Sequence, residues 1–140
     1  VALLSDVFAK EVDFFSIGTN DLSQYTLAID REHPQLANQI DHLHPAVIRS
    51  ISMVTNGAKK YNRFVSVCGL MAGEKLAIPI LIGLGVKQLS MSINVIAENK
   101  AFIRSLNYAD CCESANECLN FATSHEVRTY LTNKYKHLIG

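Results

Sequence analysis

The sequence predicts an α/β fold built on a small parallel sheet. Three short runs rich in apolar, aromatic or β-branched residues, "VDFFSIG", "RFVSVCG" and "VKQLSMS", are typical of strands. Segments with the apolar spacing of helices separate and follow them, and this alternation indicates βαβ units. The 140-residue chain is 49% hydrophobic and 19% charged, which is the composition of one globular unit.

The first half of the chain supplies one strand and three helical patterns. Apolar spacing over residues 3–8 predicts a helix before the first strand, and "GTND" after that strand predicts a turn. The next segment, "LSQYTLAI", predicts a short helix, whereas "DREHPQLANQIDHLHP" is polar, contains proline and predicts a loop. Pro45 suits the first turn of a helix that continues toward Lys60.

The second half adds two strands and four helices. The second strand covers Phe64 to Cys68, and the third, in "VKQLSMS", has about five residues. Pro79 lies early enough in the helix between these strands to be tolerated. Thr123 and Glu126 form a capping-box pattern at the start of the last helix. The helices are predicted over residues 75–84, 95–106, 108–121 and 124–137.

Composition excludes several classes of protein. Thirteen basic residues balance thirteen acidic ones, so we expect neither nucleic-acid binding nor attraction to an anionic membrane. No apolar run approaches the roughly 18 residues of a membrane span, and we expect a cytoplasmic protein without membrane insertion. The four cysteines contain no CxxC spacing, which predicts reduced thiols rather than disulfides or a zinc site.

Polar side chains follow the first two strands where each strand ends. Asn20 and Asp21 come after the first strand and Cys68 closes the second, so all three belong at the carboxyl edge of the sheet. Asn20 and Asp21 suit either a turn and helix N-cap or a site for an anion with magnesium. Arg31 can share that anion only if the chain turns back, because a straight helix would place it about 15 Å from Asp21.

The cysteine and histidine residues can each be interpreted as structural or as functional. Cys68 is either a small buried hydrophobe or, at the strand end, a protonated thiol that can donate a proton. The other cysteines lie at helical spacing among apolar residues and are interpreted as packing. His42 and His44 lack the matching ligands of a metal site and are interpreted as loop or helix-entry residues. Three strands leave open edges and one or both faces incompletely covered, so we expect the chain to be part of a larger α/β domain.

Two long motifs carry a resemblance to a known family. The stretches "DFFSIGTNDLSQYTLAIDR" and "VCGLMAGEKLAIPILIGLGVKQLSMS" closely resemble the carboxyl-terminal part of enzyme I of the bacterial phosphotransferase system. The stretches "HPAVIRSI" and "GLGVKQLSMS" are similar to its fructose-type multiphosphoryl transfer relatives. The resemblance implies that residues 1–140 are a partial phosphoenolpyruvate-binding domain, the last three or so βα units of a TIM (β/α)8 barrel.

The resemblance also implies an activity and a set of site residues. Enzyme I transfers the phosphoryl group of phosphoenolpyruvate to its own histidine and then to a histidine-containing carrier protein, and releases pyruvate. In this chain Asn20 would contact the substrate, Asp21 would bind Mg²⁺, Arg31 would contact the phosphate and Cys68 would protonate the enolate. The barrel also makes the homodimer contact, and the phosphorylated histidine belongs to a separate amino-terminal domain, so none of the five histidines here takes that role.

Departures from the family pattern make the fragment an incomplete enzyme. The family has a glutamate directly after the Cys-Gly pair, where this chain has Leu70. The second magnesium carboxylate and other phosphate-binding arginines belong to strands upstream of Val1, so we expect the fragment alone to be inactive. Three alternatives remain: a pyruvate phosphate dikinase or phosphoenolpyruvate synthase fragment, a non-catalytic dimerisation remnant, and a small flavodoxin-like binding domain, which would need more strands.

Overall fold

Residues 1–139 form three strands and seven helices, joined by short 3-10 turns. A computed structural model describes residues 1–139. The strands are β1 (Phe14–Gly18), β2 (Phe64–Cys68) and β3 (Gln88–Ser90). The helices are α1 (Ser5–Phe8), α2 (Thr19–Leu27), α3 (Pro45–Lys59), α4 (Ala77–Gly83), α5 (Ile93–Ser105), α6 (Tyr108–Cys118) and α7 (Ser124–Ile139). The 3-10 turns cover Ala2–Leu4, Ala37–Gln39 and Leu70–Gly73.

The three strands form one parallel sheet in the order β1-β2-β3. Gly18 at the end of β1 pairs with Cys68 at the end of β2, which in turn pairs with Ser90 at the end of β3. The carboxyl ends of all three strands therefore lie side by side at one edge. The predicted α/β class with a parallel sheet is confirmed.

Helices of the described chain cover one face of this sheet. Phe15 and Ile17 of β1 and Val67 of β2 are buried and belong to the same core cluster as α3 and α4. On the opposite face, the rings of Phe14 and Phe64 stack with their centroids 5.0 Å apart and remain 50% and 43% exposed. Phe14 and Phe64 are thus exposed while their chain neighbours Phe15 and Val65 are buried, because successive side chains in a strand point to opposite faces.

Close helix contacts account for the burial of two cysteines. A Cβ placed on Gly83 of α4 would lie 2.1 Å from the carbonyl oxygen of Cys111, so α4 and α6 meet backbone to backbone. Cys111 and Cys118 are fully buried at this contact, and all four cysteines are free thiols. Burial raises the pKa of Cys118 to about 12. The interpretation of these two cysteines as packing residues is confirmed.

Several element boundaries differ from the predicted ones. The predicted turn at "GTND" is absent from the described chain, because α2 starts at Thr19 directly after β1. The third strand has three residues instead of about five, and the first helix is a single turn after Ala2–Leu4. The capping box is confirmed: the Thr123 amide donates to the Glu126 carboxylate at 2.9 Å, and the Glu126 amide donates to Thr123 Oγ1 at 3.2 Å. None of the helices in residues 1–139 combines the length and apolar character that a membrane crossing needs.

Candidate functional site

The predicted site residues converge on the carboxyl edge of the sheet. Asn20 and Asp21 lie in the first turn of α2, immediately beyond the end of β1. Cys68 is the last residue of β2, next to Gly18 in the strand register. Two adjacent clefts open at this edge, and both are lined by Asn20 and Leu70. The strand ends thus place the first turn of α2 beside the turn that follows β2.

Two hydrogen bonds join the start of α2 to the end of β2. The fully buried Thr19 donates from Oγ1 to the Cys68 carbonyl oxygen at 2.9 Å. Asn20 Oδ1 accepts a bond of 3.1 Å from the Leu70 amide. Because its oxygen is used in this way, the Asn20 side chain presents its NH₂ group as the donor that remains for a ligand.

Gly69 permits this close approach. Its φ of 101° and ψ of −172° belong to a region of backbone space that is essentially reserved for glycine. A Cβ at this position would lie 2.8 Å from Thr19 Oγ1 and 3.0 Å from Asn20 Oδ1. The Cys-Gly pair after β2 is therefore a requirement of the geometry at the site.

Arg31 returns to the start of α2. The helix ends at Leu27, and Ala28 adopts the left-handed conformation with φ of 55°, which reverses the chain. Arg31 Nη1 lies 3.1 Å from Asp21 Oδ1 as a result. The chain therefore turns back after α2, as the sequence required for Arg31 to share an anion with Asp21. The two side chains are 50% and 65% exposed, so the ion pair itself contributes about 0–1 kcal/mol and can rearrange around a ligand.

The Cys68 thiol lies within one of the two clefts. It is half-buried and donates a weak bond of 3.6 Å to the Ile17 carbonyl oxygen. Residues of this second cleft include Gly69, Leu70, Glu74 and Ser90, whereas the first cleft includes Arg31, Glu32, Ile40 and His42. Leu70 is 72% exposed at the position where the family resemblance implies a glutamate. The thiol thus faces a cleft to which residue 70 contributes no acidic group.

Several neighbours of the site were not anticipated from the sequence. His42, expected only to be a loop or helix-entry residue, shares a hydrogen bond of 2.8 Å between its Nδ1 and Ser23 Oγ. His44 is the N-cap of α3, as expected, and its Nδ1 accepts from the Ala46 amide. Thr19 could have been identified as a site neighbour from the sequence, because it directly precedes Asn20 in "GTND". Arg128 carried no local signal, because its partners are 87 and 54 residues away.

Arg128 of α7 binds two carboxylates near the site. Its guanidinium contacts Asp41 at 2.7 Å and Glu74 at 2.8 Å. Burial alone would raise the pKa of Asp41, but hydrogen bonds from Arg128 and from the Leu43 amide outweigh burial and lower that pKa. The bonds to Asp41 and Glu74 raise the pKa of Arg128 against the effect of burial. Asp41 and Arg128 therefore keep their charges near neutral pH.

The side chains of residues 1–139 do not make up a complete magnesium site by themselves. Within residues 1–139, no group of three or more His, Cys, Asp or Glu side chains is arranged to hold a metal ion. Magnesium is commonly bound through one or two carboxylates together with substrate phosphate and water. Asp21 fits this pattern as a single exposed carboxylate at the start of α2, paired with Arg31, which lines the first cleft. The donor set of this chain is thus compatible with a shared site and too small for a self-contained one.

Comparison with known proteins gives the family. Residues 1–108 match the model of a PEP-utilising enzyme, PEP-binding domain. The chain belongs to this family. The match covers the three strands that residues 1–139 form and the four predicted site residues, and it ends at the start of α6.

Individual relatives agree with the family. A multiphosphoryl transfer protein of Xanthomonas campestris pv. campestris is 47% identical over 91% of this chain. Phosphoenolpyruvate-protein phosphotransferases of Priestia megaterium and Bacillus subtilis are 42% and 41% identical, each over 96% of the chain. The chain spans 15% of the first of these relatives, 23% of the second and 24% of the third. The resemblance to enzyme I and its multiphosphoryl transfer relatives is confirmed.

Proposed function

We propose that this chain is the carboxyl-terminal part of the phosphoenolpyruvate-binding domain of an enzyme I type phosphotransferase. The observation that carries the proposal is that Arg31, paired with Asp21, and Cys68 line two adjacent clefts that share Asn20 at the carboxyl edge of the sheet. These residues come from two separate segments, and a chance resemblance in sequence would not bring them together. The names of the relatives, which are phosphotransferases acting with phosphoenolpyruvate, support the same function.

We further propose that the sheet belongs to a (β/α)8 barrel. Parallel sheets are almost always covered on both faces, or closed into a barrel with helices outside. Here the described helices cover one face, and the Phe14 and Phe64 stack is left half exposed on the other. Additional barrel strands would bury that face and complete the edges of β1 and β3. This proposal agrees with the small share of its relatives that the chain spans.

In the proposed function, each side chain would take part in one step of forming pyruvate. Arg31 would exchange its bond to Asp21 for bonds to the substrate phosphate, where a guanidinium fork matches two oxygens. Asn20 would donate from its NH₂ group to a substrate oxygen. When bound through Asp21, Mg²⁺ would supply positive charge that neutralises the phosphate and enolate oxygens.

Cys68 would act last in this sequence. The bond between phosphorus and the enol oxygen breaks as the phosphoryl group passes to a histidine outside this chain. The enolate then takes the Cys68 proton at its terminal carbon, and pyruvate forms. For this step the thiol must break its weak hydrogen bond to the Ile17 carbonyl oxygen. A bond this weak holds the thiol beside the cleft and still lets it donate its proton.

The partners of the whole protein are part of the same proposal. A histidine-containing carrier protein would receive the phosphoryl group through an amino-terminal domain, and the barrel would pair with a second copy in a cytoplasmic homodimer. Leu70, which is exposed in place of the family glutamate, removes an acidic neighbour from the thiol. We therefore expect slower protonation of the enolate than in relatives that keep the glutamate.

Ligand binding by the 140-residue chain tests the proposal directly. Isothermal titration with phosphoenolpyruvate and Mg²⁺ should show weak binding that is lost in Arg31→Met. Lys60→Met is the matched control, because Lys60 pairs with Asp6 at the same 3.1 Å and is likewise exposed, away from the strand edge. Absence of binding by the unsubstituted chain, or equal binding by Arg31→Met, would contradict the proposal.

A turnover assay tests the expected inactivity. The purified chain with phosphoenolpyruvate, Mg²⁺ and the carrier protein should release no pyruvate above background. Steady release of pyruvate would show that the site is complete and would overturn the proposal of a shared one.

A second candidate function is a non-catalytic dimerisation module. The observation that favours it is an exposed apolar surface at the start of the chain, where Leu3, Leu4, Val7 and Phe8 are 79%, 55%, 53% and 42% exposed. Apolar side chains grouped in this way commonly mark an interface. Concentration-dependent dimerisation in sedimentation, abolished by Leu3→Asp and accompanied by no phosphoenolpyruvate binding, would favour this function over the first.

A further inference from the structure

Arg128 connects three distant parts of the chain through one guanidinium group. Its Nε and Nη2 donate to the two oxygens of Asp41, each at 2.7 Å, and its Nη1 donates to Glu74 Oε1 at 2.8 Å. Asp41 precedes α3, Glu74 precedes α4 and Arg128 lies in α7. This uses both edges of the guanidinium fork, an arrangement that the single ammonium of lysine does not reproduce.

Asp41 anchors the end of the segment that carries Arg31. Residues 28–44 contain no α-helix or strand, and their internal hydrogen bonds are local turns. Asp41 Oδ1 also accepts from the amide of Leu43, whose side chain is fully buried. The neighbouring His42 is bonded to Ser23 of α2. Arg128 therefore fixes this otherwise irregular segment to α7 at the point where it enters α3.

Glu74 anchors the turn that follows Cys68. It lines the same cleft as Cys68, and its carbonyl oxygen accepts the amides of Ala77 and Ile78 at the start of α4. Its carboxylate would repel an anionic ligand in that cleft if it were unpaired. The bond from Arg128 neutralises this charge and turns the carboxylate toward α7.

The three side chains are sheltered enough for the network to matter. Arg128, Asp41 and Glu74 are 39%, 23% and 28% exposed, which is less than the Asp21 and Arg31 pair at the site itself. Partly buried ion pairs are screened less by salt and solvent than exposed ones. A network of three groups also restrains two backbone segments at once.

We infer that Arg128 is a positioning residue, which holds the segment carrying Arg31 and the turn after Cys68 in the mutual arrangement that the clefts require. The consequence for phosphoenolpyruvate rests on the proposed function, whereas the positioning itself does not. Residues of both segments line the first cleft, Arg31 from one and Leu70 from the other, so the relative position of the segments sets the shape of that cleft. Leu70 and Glu74 of the turn also line the second cleft. Loss of the fork should loosen these segments and leave the sheet and α3 intact.

Amide hydrogen exchange on the full chain tests the positioning. Arg128→Lys keeps the charge but loses the fork, so exchange in residues 28–44 and 70–76 should become about tenfold faster while exchange in β2 and α3 stays unchanged. Arg49→Lys is the matched control, because Arg49 also uses a fork, on the carbonyl oxygens of Leu119 and Phe121, away from the clefts. It should leave exchange in both segments at the wild-type rate.

The outcomes separate positioning from ordinary stabilisation. Faster exchange confined to the two segments, with weaker phosphoenolpyruvate binding in the same variant, supports the inference. Exchange that rises throughout the chain in step with the urea midpoint, or Arg128→Lys behaving like the wild type, overturns it. If the unsubstituted chain binds no phosphoenolpyruvate, the proposed function fails, and the exchange comparison still decides on Arg128.

Discussion

Substitution of Gly69 by alanine probes the contact on which the candidate site is built. Gly69 lies between Cys68 and Leu70, at the end of β2, with a backbone conformation essentially restricted to glycine. The added methyl group would meet Thr19 Oγ1 at 2.8 Å and Asn20 Oδ1 at 3.0 Å. Both atoms already form the hydrogen bonds that join α2 to β2. The methyl group would therefore strain the backbone at residue 69 and weaken both hydrogen bonds.

The expected loss of stability follows from these two effects. Holding alanine in this region of backbone space costs about 1–3 kcal/mol. Displacing the side chains of Thr19 and Asn20 weakens two hydrogen bonds that contribute about 1 kcal/mol each. The free energy of unfolding of Gly69→Ala should therefore fall by about 4 kcal/mol in total. Asn20 would also lose its fixed orientation toward the clefts.

Urea unfolding monitored by circular dichroism measures this loss, and Gly85 provides the control. Gly85 also has a positive φ, of 92°, but a Cβ there would meet nothing within 4 Å. Gly85→Ala should therefore cost only the backbone term of about 1–2 kcal/mol. Equal losses in the two variants would show that the methyl group displaces neither Thr19 nor Asn20, and would refute the proposed packing at the strand edge.

Three further predictions concern other parts of the chain. Asp41→Asn should flatten the dependence of the free energy of unfolding on pH. Because the native pKa of Asp41 is lowered, its carboxylate contributes stability above the unfolded pKa of about 3.9, and this contribution is lost as the pH falls through the native pKa. Urea midpoints measured from about pH 6 to about pH 2 cover this titration. Gly83→Ala should lose about 2–4 kcal/mol in urea unfolding, because its Cβ would meet backbone atoms of Cys111. Thr123→Ala should lose about 1 kcal/mol by removing the cap of α7, again measured in urea.

Each of these predictions has an outcome that contradicts it. An unchanged pH dependence in Asp41→Asn would mean that Arg128 does not hold the Asp41 carboxylate in solution. A neutral Gly83→Ala would mean that α4 and α6 are not in backbone contact. Thr123→Ser, which keeps the hydroxyl, is the control for the cap and should retain most of the stability that Thr123→Ala loses.

Local patterns and parallel topology account for what the sequence predicted correctly. Cys68 follows a β-branched run and precedes a glycine, and Asn20 follows a similar run, so both belong at strand ends. Parallel strands then place both at one edge, as the structure shows. The requirement that the chain turn back before Arg31 came from the length of a helix alone, and Ala28 in the left-handed conformation meets it.

The errors arose where tertiary contacts decide between local options. Asn and Asp are strong N-cap residues, which favoured a turn at "GTND". The helix begins earlier because Thr19 reaches the Cys68 carbonyl across the sheet edge. Likewise, Phe14 and Phe15 are equally apolar, and the sequence by itself does not show that Phe14 lies on the face that the described helices leave open. Arg128 has no sequence signal at all, because its role depends on segments brought together by the fold.

The exposed pair of Asp21 and Arg31 is suited to a site that must open for its ligand. A buried ion pair would resist exchange, since breaking one costs several kcal/mol, whereas an exposed pair contributes about 0–1 kcal/mol. In the proposed function, Arg31 would bind the phosphate and Asp21 would hold magnesium, so both side chains would regain a partner after the pair separates. The contacts that fix the backbone are instead the hydrogen bonds of Thr19 and Asn20 to the end of β2 and the ion pairs of Arg128. The side chains of Asp21 and Arg31 can therefore exchange partners while the backbone that carries them stays fixed.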